Sequence, residues 1–403
     1  MDDNGNHHHL HYNASEDKAG TLWTAVANIL TALIGAVLFV PWGVAQLGWI
    51  AGPVAMIMFA LVSWYSALLL VDCYRSPDPI SGPIRNCRYR DAVQVNLGER
   101  YARLCALVQY IIFYGVCVSS TLTAAISVRA IRQSNCYHKK GHESLCHFPE
   151  SIYMILYGAI QVILCQIPNF HKIWALSIVA ATMSTTYATL GFCISIAKVI
   201  ENGKILGSLG GITTTTSLTQ AQKVWQILQG LAFGENTPGN LLAGFGFYEP
   251  YWLIDFANAC IVVNMVGSYQ VFCQQIFAFI EGWISHKWPS NKLINKGIQI
   301  RVPLCGLCRV NILRVCWRIA FVVSTTYIAI LFPLFNAVLG ILGAVNFWPL
   351  VVYFPVEMHI VRNKIPRWTL KWSLLQTLSF ISFLVSVVTA AGSIEGLVKD
   401  KIT

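Results

Sequence analysis

A chain of 403 residues that is 55% hydrophobic, 11% charged and +0.56 in mean hydropathy is too apolar for a soluble domain and reads as an all-α polytopic membrane protein. Its net charge of +10 lies in short segments between apolar runs, so it is a topology signal and no nucleic-acid partner is expected. Neither spaced histidine boxes nor an HExxH pattern occurs, so no enzyme activity, metal or cofactor is expected.

Residues 1–20 are polar and form an expected cytoplasmic tail without a signal-peptide core. His7, His8, His9 and His11 lie there, in a segment too short to fix metal geometry. From 21 to 399 the chain is an expected transporter domain of about nine spans in the lipid bilayer: 22–47, 49–71, 104–128, 151–167, 173–199, 251–280, 312–332, 337–361 and 371–396. In the first of these, Gly35 and Pro41 bracket a short run where a continuous helix is costly. Such a break either lines a substrate or ion site or is a simple proline kink.

The segments 73–103, 281–318 and 362–371 are rich in Arg and Lys and are expected to face the cytoplasm, as is the N-terminus. The span from 104 carries Tyr110 and Tyr114, four apart on one face. They read as helix packing, with a pocket wall as the functional alternative. Cys136 and Cys146 flank a polar loop placed outside, where a disulfide is favoured over two free thiols. Residues 200–250 hold no apolar patch long enough to span, an odd feature in a compact membrane protein. Asp255 begins the next span with Asn258 one turn on. A carboxylate there is either functional or reaches headgroup water. Glu357 is expected to pair with Arg362.

The stretches WTAVANILTALIG, AQLGWIAGP, VDCYRSPDP, YRDAVQVNLGERYARLC, SIVAATMS, PGNLLAGFGF, GSYQVFCQ, NFWPLVVYFPVEM and KIPRW together closely resemble the plant amino acid permease family of the amino acid/auxin permease group. The resemblance runs from about 21 to 397. It implies a LeuT-like fold of two inverted five-helix repeats plus an extra helix, and proton-driven symport of amino acids at the plasma membrane, with the proton as coupling ion. By that resemblance Gly35, Ala36, Val37 and Leu38 offer backbone to the α-carboxylate; in the same transporter reading the residues themselves suggest Tyr110 and Tyr114 as pocket wall and Asp255 with Asn258 for proton coupling.

Two departures matter. The family's Gly-Ser-Gly-Val-Leu is one residue shorter here, a change that rotates the downstream residues by about 100° on a helix. At Gly230 the chain also runs directly into Leu231-Ala232-Phe233-Gly234, where the family has its sixth and seventh helices, so roughly 55 residues are missing. The second repeat is then incomplete. The alternative function is a transport-inactive truncated form that associates with full-length relatives.

Overall fold

In lipid the backbone must satisfy its own hydrogen bonds, and a chain this apolar does so almost wholly as helix. The computed structural model describes residues 40–76, 84–86, 88–141, 146, 148–166, 170–202, 251–287, 298–302, 306–310, 312–333 and 335–402. In chain order these form α1 (Val40–Asp72), the ribbon β1 (Arg75–Ser76) with β2 (Ile84–Arg85), α2 (Tyr89–Leu97), α3 (Glu99–Lys140), α4 (Glu150–Cys165), α5 (Phe170–Asn202) and α6 (Tyr251–Lys287). The hairpin β3 (Ile298–Val302) and β4 (Gly306–Val310) follows, then α7 (Ile312–Leu331), α8 (Phe335–Asn346), a π-helical segment (Phe347–Tyr353), α9 (Phe354–Arg362) and α10 (Leu370–Ile402). Six helical stretches among the described residues are long and apolar enough to cross a membrane, and Glu150–Cys165 and Ile178–Ile194 are shorter apolar helices.

The helices coincide with the expected spans from 49 onward, with one correction. Residues 40–47 were expected to end a first span, but α1 runs unbroken from Val40 to Asp72 with Pro53 inside it. Pairing the backbone in an apolar surround outweighs the local preferences of Gly48, Gly52 and Pro53. The tail at 1–20, most of the first expected span and the Gly230 junction lie outside the described residues.

At the centre α6 packs antiparallel to α3. Tyr110 stacks on Phe279 with ring centroids 4.4 Å apart, Cys117 Sγ meets Tyr269 O, and Asn135 reaches Asp255. Helices α5, α4 and α7 complete this core around Tyr157, Tyr187, Ile261, Tyr269, Phe277 and Phe321. Small residues permit the close approach: a Cβ on Gly158 of α4 would lie 2.6 Å from Thr326 Oγ1 on α7. Near one end of this core Arg318 donates from Nη1 to Cys165 O at 2.7 Å, closing the C-terminus of α4, and from Nε to Glu281 Oε1 at 2.9 Å.

The basic segment 73–103, read from sequence as a loop, is folded. Gly98, with φ 93°, joins α2 to α3, and α2 buries Ala92 and Val93 against Cys73, Ala102, Cys105, Phe354 and Met358. Burial pushes the Cys73 thiol up to about 11, which keeps it neutral. The docking point is a broken helix. In the π segment Phe354 N–H bonds Pro349 O, five residues back, so the next donor in the ladder would be residue 355 bonding Leu350 O. Residue 355 is proline and has no N–H. The orphaned Leu350 carbonyl instead accepts from Tyr89 Oη at 2.8 Å, and the Tyr89 ring meets Phe354 edge-on. Burial pushes the Tyr89 phenol well above its ordinary value, so it remains a protonated donor.

Tyr89→Phe is expected to cost about 1 kcal/mol by leaving Leu350 O without its donor. In a Pro355→Ala background that cost should shrink, because the ladder regains its own N–H; equal costs in both backgrounds, read by thermal unfolding in detergent, would refute the assignment. Glu281→Ala strands the Arg318 guanidinium, whose side chain is 11% exposed, and should cost on the order of 3 kcal/mol. Arg314→Ala, at a side chain 55% exposed, should cost at most about 1 kcal/mol in the same assay.

Candidate functional site: a polar seam along the central helix

Helix α6 is apolar enough to span, yet Asn258, Asn264, Ser268, Gln270 and Gln274 on it are buried. Polar groups inside a span turn toward the bundle, because lipid offers them no partner. Asn264 Oδ1 accepts from Ser184 Oγ at 2.8 Å, and its Nδ2 donates to the Tyr187 hydroxyl at 3.4 Å. Tyr269 shares a 2.8 Å hydrogen bond with Thr325 Oγ1, and Gln270 Nε2 donates to Gln161 Oε1 at 2.6 Å. Tyr157 Oη donates to Met265 O at 2.8 Å. Gln161 Nε2 is buried without a partner among the described residues.

Charge stands only at the two ends of this seam. Asp255 and Glu281 are 26 positions apart on α6, about 39 Å at 1.5 Å per residue, comparable to the bilayer with its interfaces. At the first end Asp255 Oδ2 accepts from Asn135 Nδ2 at 2.8 Å, Ser134 also bonds the carboxyl, and Oδ1 is buried without a hydrogen-bond partner among the described residues, with His138 alongside. The His138 ring lies 3.7 Å from that of Tyr251, and the Cys136–Cys146 disulfide adjoins Asn135, with Cα atoms 6.0 Å apart. Arg129 pairs with Glu150 here, beside a cavity of about 340 Å³ that Phe148, Met154 and Pro333 help to line. At the other end Glu281 takes Arg314 and Arg318.

The structure brings some of the sequence-stated site residues together and separates others. Gly35, Ala36, Val37 and Leu38 lie outside the described residues. Tyr110 stacks on Phe279; Tyr114 donates to Ser324 Oγ at 3.0 Å and meets Phe321 edge-on. Both tyrosines therefore sit in the α3–α6–α7 packing. Tyr110 is 25 residues from Asn135 on α3, about 37 Å, so it and Asp255 belong to opposite ends of the bundle. Asn258 is fully buried and donates to Ile254 O at 3.0 Å. Glu357 Oε1 accepts from Gln376 Nε2 at 2.7 Å, a partner 19 positions away that was not named from sequence. Gln161, Asn264, Tyr269 and Gln270 were not singled out from sequence. Their signal was available as amides and a phenol inside otherwise apolar runs.

The seam is neutral and hydrogen-bonded from Asn264 to Gln274. It can exchange hydrogen bonds with a polar cargo or rearrange between helices.

Comparison with known proteins places this architecture. A family model described as "Transmembrane amino acid transporter protein" matches residues 18–232 and 230–399, two pieces that meet at the Gly230 junction. Amino acid permease 3 of Arabidopsis thaliana is 43% identical over 455 residues, covering 99% of this chain and 95% of the relative. Amino acid permease 2 of the same plant is 44% identical over 439 residues, covering 95% and 89%, and amino acid permease 6 is 42% identical over 442, covering 96% and 92%. An alignment of 455 positions against 403 residues leaves at least 52 positions without a residue from this chain. By both the family model and these relatives, the chain belongs to the transmembrane amino acid transporter family, with the plant amino acid permeases.

Proposed function

We propose that the chain imports amino acids with protons across the plasma membrane, N-terminus inside, on a LeuT-like inverted-repeat frame. The observation that carries the reading is the match to amino acid permeases over nearly the whole chain. Gly35, Ala36, Val37 and Leu38 are proposed to present backbone to the α-carboxylate. Tyr110 and Tyr114 belong to the wall at the inner half of the bundle.

Asp255 is the proton-coupling group in this reading, with Asn258 beside it on the same helix. Its support is geometric: the carboxylate is held by Asn135 and Ser134, with Oδ1 buried and without a hydrogen-bond partner among the described residues, at the end of the bundle that also carries the disulfide. A carboxylate so placed takes up a proton with little rearrangement. Orientation is supported by the basic residues: α2 with Arg90, and α9 with Arg362, meet at the end opposite Asp255.

A second reading has its own observation, the two-piece match meeting at 230–232 with at least 52 positions absent. In it the sixth and seventh helices are missing, the broken first helix lacks its partner, and the chain reaches the membrane without transporting, associated with full-length relatives.

Uptake of a labelled amino-acid mixture at acidic external pH, in transport-deficient cells and normalised to surface protein, separates the two. Symport predicts uptake that rises with the proton gradient and loses that dependence in Asp255→Asn. Surface protein without uptake would overturn symport and support the second reading.

A further inference from the structure

The turn from Asn363 to Thr369 joins α9 to α10 and borders a cavity of about 630 Å³ lined by Glu357, Lys364, Arg367, Trp368, Trp372 and Gln376, among others. At its start α9 closes with two bonds: Ile365 N–H donates to Ile360 O at 3.1 Å and Lys364 N–H to Val361 O at 3.2 Å. This paired closure is a Schellman motif, and it needs left-handed backbone at the residue glycine normally occupies. Here that residue is Lys364, with φ 47°. Trp368, with φ 67°, is the other described non-glycine residue of positive φ, and it borders the same cavity. Side chains held in that region at a cost mark positions where something besides backbone preference selects the residue.

Charge and exposure indicate what selects them. Lys364 and Arg367 have no ion pair among the described residues, although both face the cavity. Trp368 is 85% exposed and lies 5.5 Å from the Trp372 ring, between the apolar spans Gly340–Arg362 and Leu370–Ile394. Tryptophan beside two unpaired cations at the end of two spans is the chemistry of a headgroup layer. From the cavity, exposed Leu370, Leu374 and Ile381 continue along α10 as an apolar rail.

We propose that this cavity binds the headgroup of an anionic phospholipid, its phosphate between Lys364 and Arg367 and its acyl chains against α10. The inference rests on the membrane-spanning reading and is independent of transport. Glu357 and Gln376 on the cavity wall supply hydrogen bonds to the polar remainder of the headgroup.

The test is binding of fluorescent-tailed phosphatidylserine and phosphatidylcholine to the purified full chain in neutral detergent micelles, followed by anisotropy. Phosphatidylserine should bind more tightly. Lys364→Gln with Arg367→Gln should weaken it about 25-fold, from about fivefold for each cation lost at a membrane surface. Lys364→Gly should raise the unfolding temperature, since glycine relieves the left-handed backbone, while weakening phosphatidylserine about fivefold. Equal affinity for the two lipids, or unchanged phosphatidylserine binding in the double variant, would overturn the proposal. Full displacement of the lipid by inorganic phosphate would assign the site to free phosphate and overturn the lipid assignment.

Discussion

The architecture depends on α6 finding hydrogen-bond partners for the polar groups at its centre. Asn264, Tyr269 and Gln270 are satisfied from three different helices, α5, α7 and α4. An unpartnered amide in hydrocarbon is costly, so these bonds fix rotation and depth of four helices where lipid-facing apolar surfaces would slide freely. The apolar clusters around Tyr157 and Phe277 then fill the space so defined. Direction comes from the polar bonds, and close approach from residues such as Gly158.

The same constraint explains the second half of the bundle. A π segment next to Pro355 leaves one carbonyl without its ladder donor, and the donor comes from Tyr89, 261 positions earlier. The short helix α2 is therefore tied to the membrane part by its phenol as well as by Ala92 and Val93. A helix broken by proline bends where its ladder is interrupted, so the element holding the freed carbonyl also holds the bend angle. In a transporter that moves by rocking helices, such a tie couples a segment at the membrane surface to the angle of a span.

Much of this was legible in the sequence because lipid makes hydropathy nearly sufficient. The spans from 49 onward, the basic segments and the Cys136–Cys146 loop are all visible as composition. What composition hid was folded structure inside basic segments. Helix α2 buries only Ala92 and Val93, too few for a helical period to stand out, whereas Ile298, Ile300 and Val302 of β3 alternate as a strand should. Partner choice was hidden more deeply. Glu357 accepts a bond from Gln376 across the turn, since the Schellman closure brings α10 back along α9. The Tyr89–Leu350 bond spans most of the chain, and no local pattern announces it.

The seam also limits where a polar cargo can travel. Gln270 bonds Gln161 and Asn264 bonds Ser184, and opening either pair would strand two groups at once. In the proposed reading a route through the protein draws instead on the backbone of Gly35 to Leu38. A single interrupted helix presents only one set of such groups. In the second reading the partner set is lost with the positions, at least 52, that the alignment with amino acid permease 3 leaves without a residue from this chain. In both readings the α3–α6 core keeps the same packing, from Tyr110 on Phe279 at one end to Asn135 on Asp255 at the other.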